Sequence, residues 1–365
     1  MKRPTVRPAA DRQQLPALTG VRFLLAIWVV FHHLTGHHMM LEAWAQSLPG
    51  WAHEIVRSGY LAVGTFFLLS GFVLARSYGE TTWSRRNLIR YGAGRLARVY
   101  PAYLLSLLIV SPFIYRFLAN PAAAPKLPVI TSYVFVLQGW ERAVVHWNTP
   151  AWSLSCEFFF YLCFPLLAFS LRRRSGTTIA VAVAVAIAMP AVLAWLGAPD
   201  YWKPFSHLAD FLLGIAAAGI FERVSERGSA WTRRGWWLYI PAVVGGACIV
   251  AFPSLTAGWT TLTIALRPMN FALVVGLGLG GGLPARVLST RLAKLLGDSS
   301  YSLYILHVPL LWWFSRYWGH QAVAMPAVFA AAYLILVVAA SAAVFQFIEG
   351  PANRWIRDWV RVWTR

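Results

Sequence analysis

The sequence predicts an all-α protein, a polytopic bundle that crosses a membrane about ten times with both termini cytoplasmic. Three observations carry that expectation. The 365 residues are 58% hydrophobic and only 12% charged, with a mean hydropathy of +0.56. Apolar runs near the ~20 residues that span a bilayer recur along the whole length. The charges between those runs alternate in density: 24 of the 32 Lys and Arg fall in alternate connections, and seven fall in or beside the others. Such an asymmetry marks the cytoplasmic side.

Taken in order, the first expected span, 18–38, contains LTGVRFLLAIWVVFHHL, an apolar run interrupted by Arg22, His32 and His33. The second, 59–78, includes GTFFLLSGFVL, whose Gly and Ser permit close helix contact. The third, 99–118, starts at Val99-Tyr100-Pro101 behind the basic stretch RNLIRYGAGRLAR. The fourth, 150–171, opens with an acid, Glu157, about two turns inside, and the fifth, 177–197, is rich in Ala and Val. The sixth, 205–222, holds Asp210; the seventh, 236–253, and eighth, 258–282, are predominantly apolar. The ninth, 300–318, contains His307, and the tenth, 325–348, ends at Glu349-Gly350-Pro351. All ten read as one membrane domain over 1–365, with 1–17 and 349–365 as cytoplasmic ends. The connections 39–58 and 119–149 carry Pro and Trp and are expected to form interfacial helices or a lid.

Several function classes fall away on these observations. The net charge of +19 would point to nucleic acid in a soluble chain, but its distribution is topological, so no nucleic-acid partner is expected. The first span is not expected to be a signal peptide, despite Ala43-Trp44-Ala45, because Arg22 and the histidines interrupt it. Three cysteines, Cys156, Cys163 and Cys248, give no disulfide framework, and packing is their expected role. His33, His37 and His38 invite a metal reading, but no third ligand is evident at a compatible spacing, so no metal is expected.

Ionisable groups inside a membrane usually face an interior, a cavity or a partner. Arg22 and His33 are eleven residues apart, which at ~100° per residue returns them to within roughly 20° of one helix face. They stand roughly 16 Å apart along the axis, and His32 points about 80° away. Glu157 and His33 lie at similar expected depth, and a carboxylate beside an imidazole is a common acid–base arrangement. Two structural hydrogen-bonders in separate places would fit equally well. Arg95 and Arg98, at i and i+3, present two guanidinium groups on one face. They suit phosphate oxygens, or else anionic lipid headgroups.

The ordered set of these segments resembles the acyltransferase 3 family of integral-membrane O-acyltransferases. The segments are LTGVR with ten residues to His33, FFLLSGF at 66–72, RLARVYP at 95–101, WSLSCEFFFYL at 152–162, SYSLYILH at 300–307, and Glu349 with Pro351. Thr19 and Phe158 stand where the family often carries acids. The resemblance implies transfer of an acyl group, often acetyl from acetyl-CoA, to a hydroxyl of a carbohydrate or another small acceptor such as a macrolide. It implies that Arg22, His33 and Glu157 matter for activity as catalytic residues; in the mechanism expected from them, Glu157 orients His33 or stabilises its imidazolium. Arg95, Arg98 and Tyr100 are expected at the donor, and Ser70, Trp152, Ser155, Tyr301 and His307 along the channel. No permanently bound cofactor is expected; the donor acyl-CoA is a substrate. The setting implied is a bacterial inner membrane. A multi-span exporter without chemistry is the alternative from another class, although no paired repeats with broken helices are seen.

Overall fold

The computed structural model describes residues 15–121, 125–140, 147–171, 176–197, 202–226, 234–256 and 259–364. The basic residues of the N-terminal segment, Arg142, Arg172–Arg174, Arg227 and Arg233 lie outside the described residues. Every described segment of appreciable length is helical, and no strand occurs among the described residues. The first half comprises α1 (Pro16–Leu34), α2 (Glu42–Ser47), α3 (Gly50–Arg57), α4 (Ala62–Tyr78), α5 (Arg85–Ile109), α6 (Ser111–Ala119), α7 (Lys126–Val134) and α8 (Trp152–Leu171). The second comprises α9 (Gly176–Trp195), α10 (Lys203–Glu226), α11 (Trp236–Ala251), α12 (Trp259–Leu279), α13 (Gly282–Leu288), α14 (Arg291–Asp298), α15 (Ser300–Ala324), α16 (Pro326–Val344) and α17 (Gly350–Trp363).

Each expected span contains a helix, but the lengths differ. Six helical stretches are long and apolar enough to cross a membrane, seven if one bent pair counts as a span, and the helices within Ile179–Leu193 and Trp236–Ala251 are apolar but shorter. The expected third span is the bent pair: α5 begins at Arg85 rather than near 99 and meets α6 at 60°. Pro112 explains the break, since it cannot donate to the carbonyl four residues back and disfavours helix before it. At the bend the Phe113 N–H donates to the Val110 carbonyl at 2.9 Å, and the carbonyl of Ile109 accepts instead from the Trp313 indole N–H at 2.8 Å. Connection 39–58 forms the short helices α2 and α3.

The core is built on α4 against α10. An added Cβ on Gly71 would sit 2.1 Å from the Phe211 carbonyl oxygen, and one on Gly214 would sit 2.0 Å from that of Leu68. The two backbones therefore meet where only glycine fits. Gly71→Ala is expected to destabilise by about 1–3 kcal/mol, because backbone rather than a mobile side chain must give way; thermal unfolding in detergent measures it. Similar contacts press α14 against the first turn of α1, where a Cβ on Gly297 would meet the Thr19 carbonyl oxygen at 1.9 Å. The chain runs from α16 into α17 through one π-helical turn, Phe345–Glu349, which brings Glu349 into the interior at 1% exposure.

Candidate active site

A cavity of about 520 Å³ lies among α1, α4, α5, α8, α14 and α15. Six of the residues singled out from sequence line it together: Arg22, Ser70, Arg95, Arg98, Glu157 and Tyr301. Lys294 and Asp298 of α14 complete its charged end, and Ser153 and Tyr304 belong to its wall. No sequence spacing connects α14 to this site; it arrives through the glycine contact with α1.

The three arginines are held differently. Arg98 forms an ion pair with Glu349, whose other oxygen accepts from Ser302 Oγ at 2.7 Å. Its guanidinium carbon is 5.6 Å from the centre of the Tyr301 ring. Arg95 sits among three tyrosine rings, 5.6 Å from Tyr78, 6.0 Å from Tyr91 and 5.9 Å from Tyr161, a cation–π setting that holds the guanidinium without a carboxylate. Its buried Nε has no hydrogen-bond partner. Arg22 has no hydrogen-bond partner among the described residues; the charges that act on it are Arg98, Glu157, Glu349 and Asp298. Glu157 accepts from Tyr161 Oη at 2.8 Å, one helical turn along α8. A cavity-facing cation with free donors is suited to charge-assisted bonds from an anion.

The expected pairing of Glu157 with His33 is not formed. His33 meets His307 instead: His33 Nδ1 is 3.2 Å from His307 Nε2 and 3.0 Å from the Val29 carbonyl oxygen. His307 Nδ1 is 2.7 Å from the Tyr304 carbonyl oxygen. A carbonyl only accepts, so His307 carries its proton on Nδ1 and presents a lone pair on Nε2. His33 then donates from Nδ1, and its own Nε2 keeps a lone pair. Depth arithmetic brought Glu157 and His33 to one level but could not say which helix faces α1; α15 does, and α8 packs elsewhere around the cavity. His307 is fully buried, with Tyr333 Oη donating to its carbonyl. Its ring centre is 6.0 Å from that of Tyr304, so this cavity-wall residue stands next to the imidazole pair. The two adjacent histidines diverge as the helical rotation requires, His32 turning to the Arg57 carbonyl and the Tyr60 ring.

Five residues singled out from sequence lie off the cavity wall. Tyr100, expected at the donor, lies off the cavity wall; its hydroxyl donates to the Val134 carbonyl at 3.3 Å and its ring packs on Phe158. Ser155, expected along the channel, accepts from the Gly139 N–H at 2.9 Å and secures a loop. Trp152 packs beside His207, with Lys203 Nζ 4.2 Å from its ring centre. His307 and His33 are hydrogen-bonded to each other, and neither lines the cavity; they stand beside its Tyr304 wall. Asp210, whose partner the sequence left open, is bound by Arg267 Nε at 2.9 Å and His207 Nδ1 at 3.0 Å.

A family model described as an acyltransferase domain, that of the acyltransferase 3 family, matches residues 15–346. The chain belongs to the acyltransferase 3 family. It is an acyltransferase, and its relatives carry matching names. It is 28% identical to acyltransferase MdmB of Streptomyces mycarofaciens, over 93% of this chain and 92% of that protein. It is 24% identical to O-acetyltransferase OatA of Staphylococcus aureus over 93% of this chain, and spans 57% of the length of that relative. No solved structure matches. The match to this acyltransferase family takes in the helices that carry Arg22, His33, Arg95, Arg98, Glu157 and His307, and leaves α17 outside.

Proposed function

We propose that this acyltransferase moves an acyl group, acetyl first among candidates, from acyl-CoA to a hydroxyl of a carbohydrate acceptor. In this reading the helices make ten crossings of a bacterial inner membrane with both termini cytoplasmic. The observation that carries the proposal is one cavity with Arg22, Arg95 and Arg98 in its wall and the His33–His307 imidazole pair beside its Tyr304 wall. Acyl-CoA is made in the cytoplasm, so its phosphates meet the arginines while the pantetheine arm carries the thioester past Tyr304 toward His33.

The chemistry then runs in balanced steps. The lone pair on His33 Nε2 takes the acceptor hydroxyl proton as that oxygen attacks the thioester carbonyl. The tetrahedral intermediate collapses, the C–S bond breaks, and the CoA thiolate leaves with the proton from the imidazolium. The Val29 carbonyl and His307 Nε2 both accept from His33 Nδ1–H, which supports the charged ring without a carboxylate. Glu157 has a different part in this scheme: it balances the arginine cluster.

Purified protein in detergent, supplied with labelled acetyl-CoA and an envelope glycan fraction, tests the proposal. Label on carbohydrate without a membrane gradient supports it. Label only on a small hydroxyl compound would redirect the acceptor, and no acyl transfer at all would end the reading. Rapid quench separates direct attack from an acyl-His33 intermediate. Arg22→Ala is expected to raise KM for acetyl-CoA at least about tenfold, the value of one charge-assisted hydrogen bond. Arg22→Lys should recover part of it, and initial rates against donor concentration give the answer.

A further inference from the structure

The connection that follows α1 brings together three side chains that the acyl-transfer chemistry leaves unused. His37, His38 and Glu42 offer ligand atoms that all lie within 4.8 Å of one another. His37 Nδ1 is 2.8 Å from Glu42 Oε1, and the His38 backbone N–H donates to Glu42 Oε2 at 2.6 Å. The two imidazole rings stack, centres 3.8 Å apart and planes 28° from parallel. His38 adopts a φ of +61°, in the left-handed region that residues other than Gly enter seldom, Asn, Asp and His more often than the rest. The turn therefore holds a second imidazole against the first and a carboxylate against both.

We propose that His37, His38 and Glu42 form a binding site for a borderline divalent cation of the zinc class. Two imidazoles and one carboxylate are the ligand types that zinc takes, at about 2.0–2.2 Å each, with water completing a tetrahedron. Neighbouring ligand atoms then stand about 3.4 Å apart, so a closure of at most about 1.4 Å from the present 4.8 Å limit suffices. His37 and His38 are exposed and free to make it, as the side chain of His37 is 76% accessible. Imidazole with carboxylate selects zinc, cobalt, nickel or copper over magnesium and calcium. The His38 N–H holds Glu42 Oε2 and so aims Oε1 at the ion, the orienting contact expected behind a metal-bound carboxylate. Binding through His37 Nδ1 takes the tautomer with the ring proton on Nε2, which then donates a hydrogen bond to solvent. His33 and His37, one turn apart in sequence, are not joined here: α1 ends at Leu34, and Glu42 is the third ligand that spacing alone did not show.

Zinc titration of the untagged, chelator-stripped protein tests the site, with cobalt absorption as an independent readout of tetrahedral coordination. One zinc per chain is expected, with magnesium unable to displace it. Glu42→Gln, His37→Ala and His38→Gly should each weaken zinc at least about tenfold, a loss of the size seen when metal-site contacts are removed. Glycine is used at 38 because it keeps the positive φ without strain. His53→Ala, on α3, should leave binding unchanged. Equal zinc affinity in wild type and the triple variant overturns the proposal, as does loss of binding in His53→Ala equal to that in Glu42→Gln.

Discussion

His33→Ala is expected to insert and fold as the parent does and to lose acyl transfer by about 10²–10⁴-fold, the usual contribution of a positioned general base. The side chain lies beside the core rather than filling it, so size-exclusion behaviour and thermal unfolding should change little. His307→Leu makes the expectation sharper. It removes one of two acceptors for His33 Nδ1–H and leaves the Val29 carbonyl in place. Transfer should therefore fall far less, by about tenfold, the value of one net hydrogen bond. His307→Gln, which keeps an acceptor, should recover much of it. Both are read as kcat at saturating acetyl-CoA, together with the pH dependence of kcat. A His33→Ala enzyme with full activity removes the base from the mechanism. A His307→Leu enzyme as inactive as His33→Ala would give the second ring a direct chemical part.

Arg267→Met is expected to produce the largest loss of stability. Arg267 and Asp210 are buried together, each side chain 9% exposed, and Arg267 also reaches the carbonyls of Ala186 and Ser206 at 3.4 Å. The pair thus ties α9, α10 and α12. Breaking a buried pair from one side strands the other charge and costs about 3–5 kcal/mol. That corresponds to roughly 6–20 °C in Tm for a chain somewhat smaller than this one. His207 remains on Asp210 and softens the loss. The double variant Arg267→Met/Asp210→Leu should recover most of it, since replacing both partners by apolar groups is close to neutral. Thermal unfolding in detergent without acyl-CoA decides it; an unchanged Tm in the single variant shows that the pair contributes no stability.

The sequence by itself settled the features that depend on near neighbours and composition. The helical, membrane-spanning character follows from apolar run length, because a segment in lipid must satisfy its backbone internally. The divergence of His32 from His33 follows from helical rotation, and the motif order was enough to indicate the family. Arg22, Arg95, Arg98 and Glu157 could each be picked out, since a charge in an apolar run is costly and so seldom incidental.

Only the tertiary structure decided who meets whom. His33 and His307 are 274 residues apart, and Arg98 and Glu349 are 251 apart. Periodicity fixes which face of a helix a residue occupies but carries no information about the helix opposite. Depth matched Glu157 to His33 equally well, yet backbone contacts through Gly71, Gly214 and Gly297 set the order of helices around the cavity. That packing turned Glu157 toward Tyr161 and the arginines, put Tyr100 on another face, and brought α14 to the charged end. Helix neighbours are chosen by the fit of whole surfaces, a property of the folded bundle that no single stretch of chain contains.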